Sequence, residues 1–266
     1  MAYPLSSLVV MLATPVVLSL QLPAVPYDAR RLLLVRHGAV SRESHNPPVA
    51  PGALYGGDLE VPLSELGEAE AQAAAIFIRD GEDDVRDVWS SPMERALFGA
   101  KAIQSELRSQ VIGGLKLEVS DSLREIRRGQ WVNKTREQIA AEWGDDAFER
   151  CALEDEFGQS FGGEGMGELR ERVLNVRDFL LKRCKPGTAS VVVSHMWVTR
   201  ILLADALGES NVLNVDVPTA SISVIDYSPE SWPPATADEA PSVVVVGHKP
   251  PLPSDKAHLA DTWQAE

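Results

Sequence analysis

Two aliphatic runs constrain this chain more than any other feature. Leu32, Leu33, Leu34 and Val35 lead straight into Arg36 and His37, and Val191, Val192 and Val193 lead into Ser194 and His195. Short runs that are apolar at every position suit strands covered on both faces. A strand that ends in polar, titratable residues puts them where the backbone leaves the sheet, and in α/β proteins that edge is where ligands bind.

The intervening segments supply helices. In residues 63–80, Leu66, Ala69, Ala73, Ile76 and Phe77 recur at helical spacing behind Ser64, a good N-cap, with Glu65 and Glu68 in the first turn. Asp87 to Ser91 reads as a strand. Ser91 as N-cap, Pro92 as the first helical residue and Glu94 completing a capping box then predict a second helix, which sets Arg95 just past a strand end. Residues 115–120 predict another strand, followed by a helical and glycine-rich middle. Leu169, Val173, Val176 and Leu180 mark a helix expected to stop before Lys185, with Gly187 as its left-handed cap. Residues 190–194 read as a central strand, 197–208 as a helix, and 220–227 and 242–247 as two late strands of the same sheet. Strands alternating with helices predict an α/β sandwich around a largely parallel sheet. Ser228 to Ala240 reads as a polar, proline-rich surface loop.

With 266 residues, 44% of them apolar, the chain can bury a substantial core. Its 25 basic and 39 acidic residues give a net charge of -14, which argues against nucleic acid or anionic lipid as partners held by long-range attraction. The two cysteines, Cys151 and Cys184, and the scattered histidines offer neither a disulfide scaffold nor a zinc-ligand spacing. No metal or other cofactor is expected. From Leu5 to Leu22 the sequence carries no charge, although Pro15 interrupts it. That length suits a signal-peptide core or a borderline membrane span, and equally a segment packed on the domain. Membrane association and a secretory destination depend on which holds.

Arg36 with His37, Arg95, and His195 all fall at strand-to-helix junctions. If the strands are neighbours, two guanidiniums and two imidazoles converge on one cavity. Such a set suits a compact dianion, because arginine forks match phosphate oxygens and helix N-termini add amide donors. Gly38 would let the backbone approach that anion closely.

Six segments, in order, resemble the histidine phosphatase superfamily, the phosphoglycerate mutase-like family. Leu32 to Gly38 is similar to its L-L-L-V-R-H-G signature, and residues 62–72 to its D-x-P-L-[ST]-x-x-G-x-x-Q-A element. Residues 90–96 resemble S-S-P-x-x-R-A, 123–131 L-x-E-x-x-x-G-x-W, 162–164 the G-G-E loop, and 191–195 the second histidine strand. The resemblance runs from about Arg31 to Gly247. It implies a three-layer α/β/α fold and metal-independent phosphoryl transfer, with a small phosphorylated substrate as partner. By position, His37 would be the phosphorylated nucleophile, Arg36, Arg95 and His195 the phosphate pocket, and Glu125 the proton donor. Glu164 falls in the G-G-E loop and is left out of the catalytic set. The chain would divide into an apolar leader at 1–28, a phosphatase-like domain at 29–248 and a tail at 249–266.

The chain also departs from that pattern. Val40 and Glu43 stand where Ser or Thr and Asn are usual, which removes an auxiliary phosphate contact unless Ser41 or Asn46 replaces it. Gly99 replaces a threonine, and Val132, Asn133 and Lys134 follow Trp131 in place of Glu-Gly, so different substrate contacts are expected. The mutase-type E-R-H-Y-G stretch is absent. The resemblance therefore favours a phosphomonoesterase, with a mutase and a non-catalytic phosphate-binding protein as alternatives.

Overall fold

The computed structural model describes residues 20–82, 84–108, 114–229, 231–232 and 240–262. Six strands build one sheet: β1 (Arg30–Arg36), β2 (Val85–Ser90), β3 (Lys116–Val119), β4 (Thr188–Ser194), β5 (Ile222–Tyr227) and β6 (Ser242–His248). Their order is β3-β2-β4-β1-β5-β6. β1, β2, β3 and β4 run parallel, while β5 and β6 add antiparallel at one side. The two aliphatic runs thus lie side by side in the middle, with every residue from Ala189 to Ser194 buried.

Alternation along β1 divides its side chains between two layers. Leu33 and Val35 pack with α1 (Glu65–Gly81) and α2 (Glu94–Leu107), and Leu32 and Leu34 pack with α5 (Met166–Arg183) and α6 (Met196–Leu207). This is the three-layer α/β/α sandwich. Two shorter helices, α3 (Arg136–Trp143) and α4 (Ala147–Leu153), gather around Trp131, whose indole stacks on Phe161 at 4.1 Å.

Local signals explain most helix boundaries. Ser64 caps α1 by accepting from the Gly67 amide at 3.1 Å. The buried face of α1 is wider than a single stripe: Ala74, Ala75 and Ile78 are core, whereas Ile76 and Phe77 are half-buried, because sheet, α2 and the C-terminal turn all pack on it. Helix α2 differs from expectation. It begins at Glu94, the capping box is absent, and the Glu94 amide is met by Glu60 at 3.2 Å. Gly187 is left-handed, φ 72°, yet α5 has already ended at Arg183; the glycine turns the chain into β4, its amide bonded to the Ala29 carbonyl at 2.7 Å.

Leu22 and Val25 pack on the α1 face of the core, so contacts begin upstream of Ala29. Residues 1–19, which include most of the uncharged stretch, lie outside the described residues, as does most of the loop at 228–240. Among the described residues no helix is long and apolar enough to cross a membrane.

At the start of β1, Arg31 is fully buried and bonds Asp226 through two nitrogens at 2.7 and 2.8 Å and Glu82 at 2.8 Å. Removing one partner of a buried ion pair strands the other charges. Arg31→Met should lower unfolding free energy by about 3–5 kcal/mol, read by urea denaturation. Glu82→Gln and Asp226→Asn added together should restore much of that loss, and no recovery would mean that Arg31 acts by packing alone.

Candidate active site

The strand register brings the predicted residues together. Arg36 pairs with Ser194 across β1 and β4, and Ser90 with Val193 across β2 and β4, so the next residues, His37, His195 and Ser91, leave one edge of the sheet together. The pairing extends one step past each strand: the His37 amide donates to the Ser194 carbonyl and that of Ser91 to the Val193 carbonyl, both at 3.0 Å. The two imidazoles consequently face each other with centroids 5.1 Å apart.

Each group is held in one orientation. His37 Nδ1 lies 2.8 Å from the Gly38 carbonyl, which can only accept, so Nδ1 carries the proton and Nε2 keeps its lone pair. His195 Nε2 meets the Ser91 hydroxyl at 2.7 Å, while its buried Nδ1 has no hydrogen-bond partner among the described residues. Arg95 donates to the Leu59 and Gly56 carbonyls at 3.0 and 2.9 Å, with a buried Nε left over. Arg36 donates to the Val217 carbonyl at 2.8 Å.

Burial, then the charges of Arg95 and Arg36, hold His37 well below the ordinary imidazole range; burial and Arg95 do the same to His195, with His37 and Arg36 adding to it. Both rings are therefore neutral where free imidazole would protonate. The unfolded chain takes up protons on both below about pH 6.5, whereas the folded chain does so only well below that. Stability must then fall as pH drops below the unfolded value. The expected loss approaches about 1.4 kcal/mol per imidazole per pH unit. Urea unfolding at pH 7.5 and 5.5 should show a smaller acid loss for the His37→Asn, His195→Asn double variant than for the parent; equal losses would contradict the assignment.

Glu125 follows β3 and a short 3₁₀ turn at Asp121–Leu123. Its carboxylate accepts from its own neighbour's amide, Ile126, at 2.9 Å and sits 3.5 Å from the Trp197 amide in the first turn of α6. Glu125 is 7% exposed, so it is no solvated surface acid. Among the other acids, Glu164 makes a two-pronged pair with Arg172 at 2.6 and 2.9 Å and accepts from the Arg127 amide, tying the Gly-rich loop to the Glu125 loop. Asp58 takes the Arg128 amide at 2.5 Å, and Glu43 is exposed.

The departures from the family pattern have local explanations. Val40 pairs with Leu63 and packs beside Val49, Ala53 and Val61, and the Ser41 hydroxyl is 2.7 Å from that of Ser44. A Cβ at Gly99 would meet Val193 and Ala71 at ordinary contact distance, so this position belongs to the helix-sheet interface. Gly38 is needed for packing: a Cβ there would lie 2.1 Å from the Gly67 carbonyl oxygen. No anion contact is required to explain that glycine.

Two residues enter that sequence reasoning passed over. Ser91, expected as a helix cap, accepts from the Met93 amide at 3.3 Å and also meets His195. Glu70, 2% exposed, accepts from the Ala39 amide at 2.8 Å and pairs with Lys249 at 2.5 Å, bracing the turn that follows His37. It occupies the glutamine position of the G-x-x-Q element, the one signal that marked it. Among the described residues no group of three or more His, Cys, Asp or Glu is placed to hold a metal ion.

The sandwich and its paired histidines define an α/β protein with two facing imidazoles at one edge of the sheet. The model of the histidine phosphatase superfamily (branch 1) matches residues 32–240, and the chain belongs to that family. It is 32% identical over 126 residues to glucosyl-3-phosphoglycerate phosphatase of Mycobacterium tuberculosis, a match covering 45% of this chain and 50% of that one. The chain thus spans about half the length of that curated relative. Among solved structures, the fold resembles mycobacterial hydrolase 2 with a TM-score of 0.69 at 23% identity, covering 88% of this chain and 97% of the other. It also resembles native mycobacterial glucosyl-3-phosphoglycerate phosphatase, with a TM-score of 0.64 at 23% identity, covering 83% of this chain and all, 100%, of that one.

Proposed function

We propose that this protein is a phosphomonoester hydrolase acting on a small phosphorylated metabolite through a phosphohistidine on His37. The observation that carries the reading is the neutral His37 imidazole, its Nδ1 proton tied to Gly38 and its charge suppressed by burial and by Arg95 and Arg36. Nε2 attacks phosphorus in line, the P–O ester bond breaks, and Glu125 gives its proton to the departing oxygen. Arg36, Arg95 and His195 spread the charge of the equatorial oxygens, as a metal ion would elsewhere. Glu125, now a carboxylate, then takes a proton from the water that displaces His37 and releases phosphate. The name of the curated relative, a phosphatase of a phosphorylated glucosyl compound, supports the same class of substrate.

The test is phosphate release from a panel of phosphorylated metabolites and p-nitrophenyl phosphate, with and without EDTA. Release that persists in chelator is expected. Loss of all release in EDTA with recovery on adding a divalent ion, or no release from any substrate, would overturn the reading. Isomerisation of 3-phosphoglycerate faster than its hydrolysis would make the protein a mutase.

A further inference from the structure

We infer that Arg128 and Arg200, both packed against the Trp197 indole, form a second anion subsite, so that the substrate carries a carboxylate or second phosphate near its phosphoester. The inference rests on the proposed phosphatase reading and names the class of substrate it acts on.

Two other inward-facing guanidiniums, one fully buried and one half-buried, pair with acids where their work is structural. Arg31 holds Asp226 and Glu82, and Arg172 holds Glu164. Arg128 is as deeply placed, 5% exposed, yet among the described residues no carboxylate pairs with its side chain. Its Nη1 reaches only the Cys151 sulfur, at 3.4 Å, and its guanidinium lies 4.9 Å from the Trp197 ring centre. Asp58 meets the backbone amide of Arg128 and leaves the guanidinium unneutralised. A buried charge with neutral partners is costly to keep, and a hydrocarbon side chain could stack on the indole equally well. A ligand that brings the missing negative charge accounts for its retention.

The position agrees. Gly56 links Arg128 to the phosphate-pocket arginine Arg95: its carbonyl accepts from Arg95 at 2.9 Å, and a Cβ on it would lie 2.5 Å from Arg128 Cγ. On the other side, Arg200 sits 5.8 Å from the same indole centre, its Nε fixed by the Val215 carbonyl at 2.9 Å. Arg200 is held below its ordinary value by burial and by Arg36, while Asp216 and Glu125 act oppositely and Arg128 again lowers it. Arg95 and Arg200 both feel the Glu125 charge, Arg200 also feels those of Arg36 and Arg128, and Arg128 shares the Trp197 indole with Arg200, so the pair lies beside the residues proposed to hold the phosphoryl group. Planar forks suit a carboxylate or a phosphate.

Two matched pairs of substrates separate the possibilities. 3-Phosphoglycerate and glycerol 3-phosphate differ by a carboxylate against a hydroxymethyl; fructose 1,6-bisphosphate and fructose 6-phosphate differ by a second phosphate. One charged member should exceed its neutral partner in kcat/KM by about 10²-fold or more, and which pair responds identifies the second anion. Arg128→Met should reduce kcat/KM on that charged member at least about 30-fold more than on its partner, and Arg128→Lys should recover part of the difference. Calorimetric titration of both members into His37→Ala, with and without Arg128→Met, reads the subsite without turnover. Equal losses on charged and neutral members, or equal affinities in His37→Ala, would overturn the subsite while leaving the hydrolase reading intact. Absence of phosphate release from every substrate, with selective binding retained, would overturn the hydrolase reading alone.

Discussion

His37→Ala is expected to lower phosphate release by roughly 10⁴- to 10⁶-fold, the scale on which removal of an essential nucleophile acts, with little change in fold. With Nδ1 bonded to the Gly38 carbonyl, the lone pair on His37 Nε2 is the nucleophile proposed for the reaction. His195 bonds Ser91 through Nε2, and its free nitrogen, Nδ1, is buried. Ser91 accepts from the Met93 amide at 3.3 Å and already faces His195. A brief incubation with a hydrolysed phosphomonoester, quenched in alkali and digested, should give an acid-labile phosphoryl label on the peptide containing His37. Label on His195, or activity retained in His37→Ala, would assign the chemistry elsewhere. The same experiment gives a pH expectation. Burial, with Arg95 and Arg36 beside it, keeps His37 unprotonated below pH 6.5, so the acid limb of kcat/KM should not fall at the ordinary imidazole value.

Much of this site is legible in the sequence because its parts sit at strand ends. An aliphatic run that stops on a histidine reveals a strand, its burial and the polar group at its end, and those three facts came from one stretch each of β1 and β4. What no pattern discloses is register. That Arg36 stands opposite Ser194, and so His37 opposite His195, is a property of the assembled sheet. Ser91 shows the limit in another way: Ser-Pro-x-Glu is a sound helix-start signal, yet the hydroxyl is used by a histidine far along the chain, and Glu60 meets the first amide of α2 instead. The roles of Glu70 and Arg128 are hidden for the same reason. Each is a charged residue in a charged stretch, and only tertiary packing turns one into a brace for the Ala39 amide and the other into a buried cation without an acid.

The electrostatics of the site run against those of the chain. With a net charge of -14 the protein repels anions at long range, while Arg36, Arg95, Arg128 and Arg200 make one sheet edge locally positive. Screening weakens the long-range repulsion more than the short, partly buried attraction. Moderate salt should therefore impair an anionic substrate less than it would in a protein that gathers ligands by surface charge. Binding a dianion also offsets the charges that depress the His37 and His195 values, so it should draw protons onto the site.

Glu125→Gln is the sharpest test of the proton donor, because the two carboxamide and carboxyl shapes match and only the proton differs. The loss should depend on how badly the leaving oxygen needs that proton. An aliphatic alkoxide is very basic and must be protonated as the bond breaks, whereas p-nitrophenolate departs as the anion. On alkyl phosphates the phosphorylation step should slow by ~10²- to 10⁴-fold, while the burst of p-nitrophenolate should slow far less. Steady-state rates are the wrong comparison, since the same carboxylate is proposed to activate water in the second step and its loss would limit both substrates there. The position of Glu125 gives the test its edge. Its carboxylate accepts from the Ile126 amide and faces the N-terminus of α6, contacts that the oxygen of a glutamine can keep, so the variant leaves the group in place. Equal burst losses for the two leaving groups would make Glu125 a binding residue, and the acid would then be sought among the carboxylates of the neighbouring loop, Asp58 first.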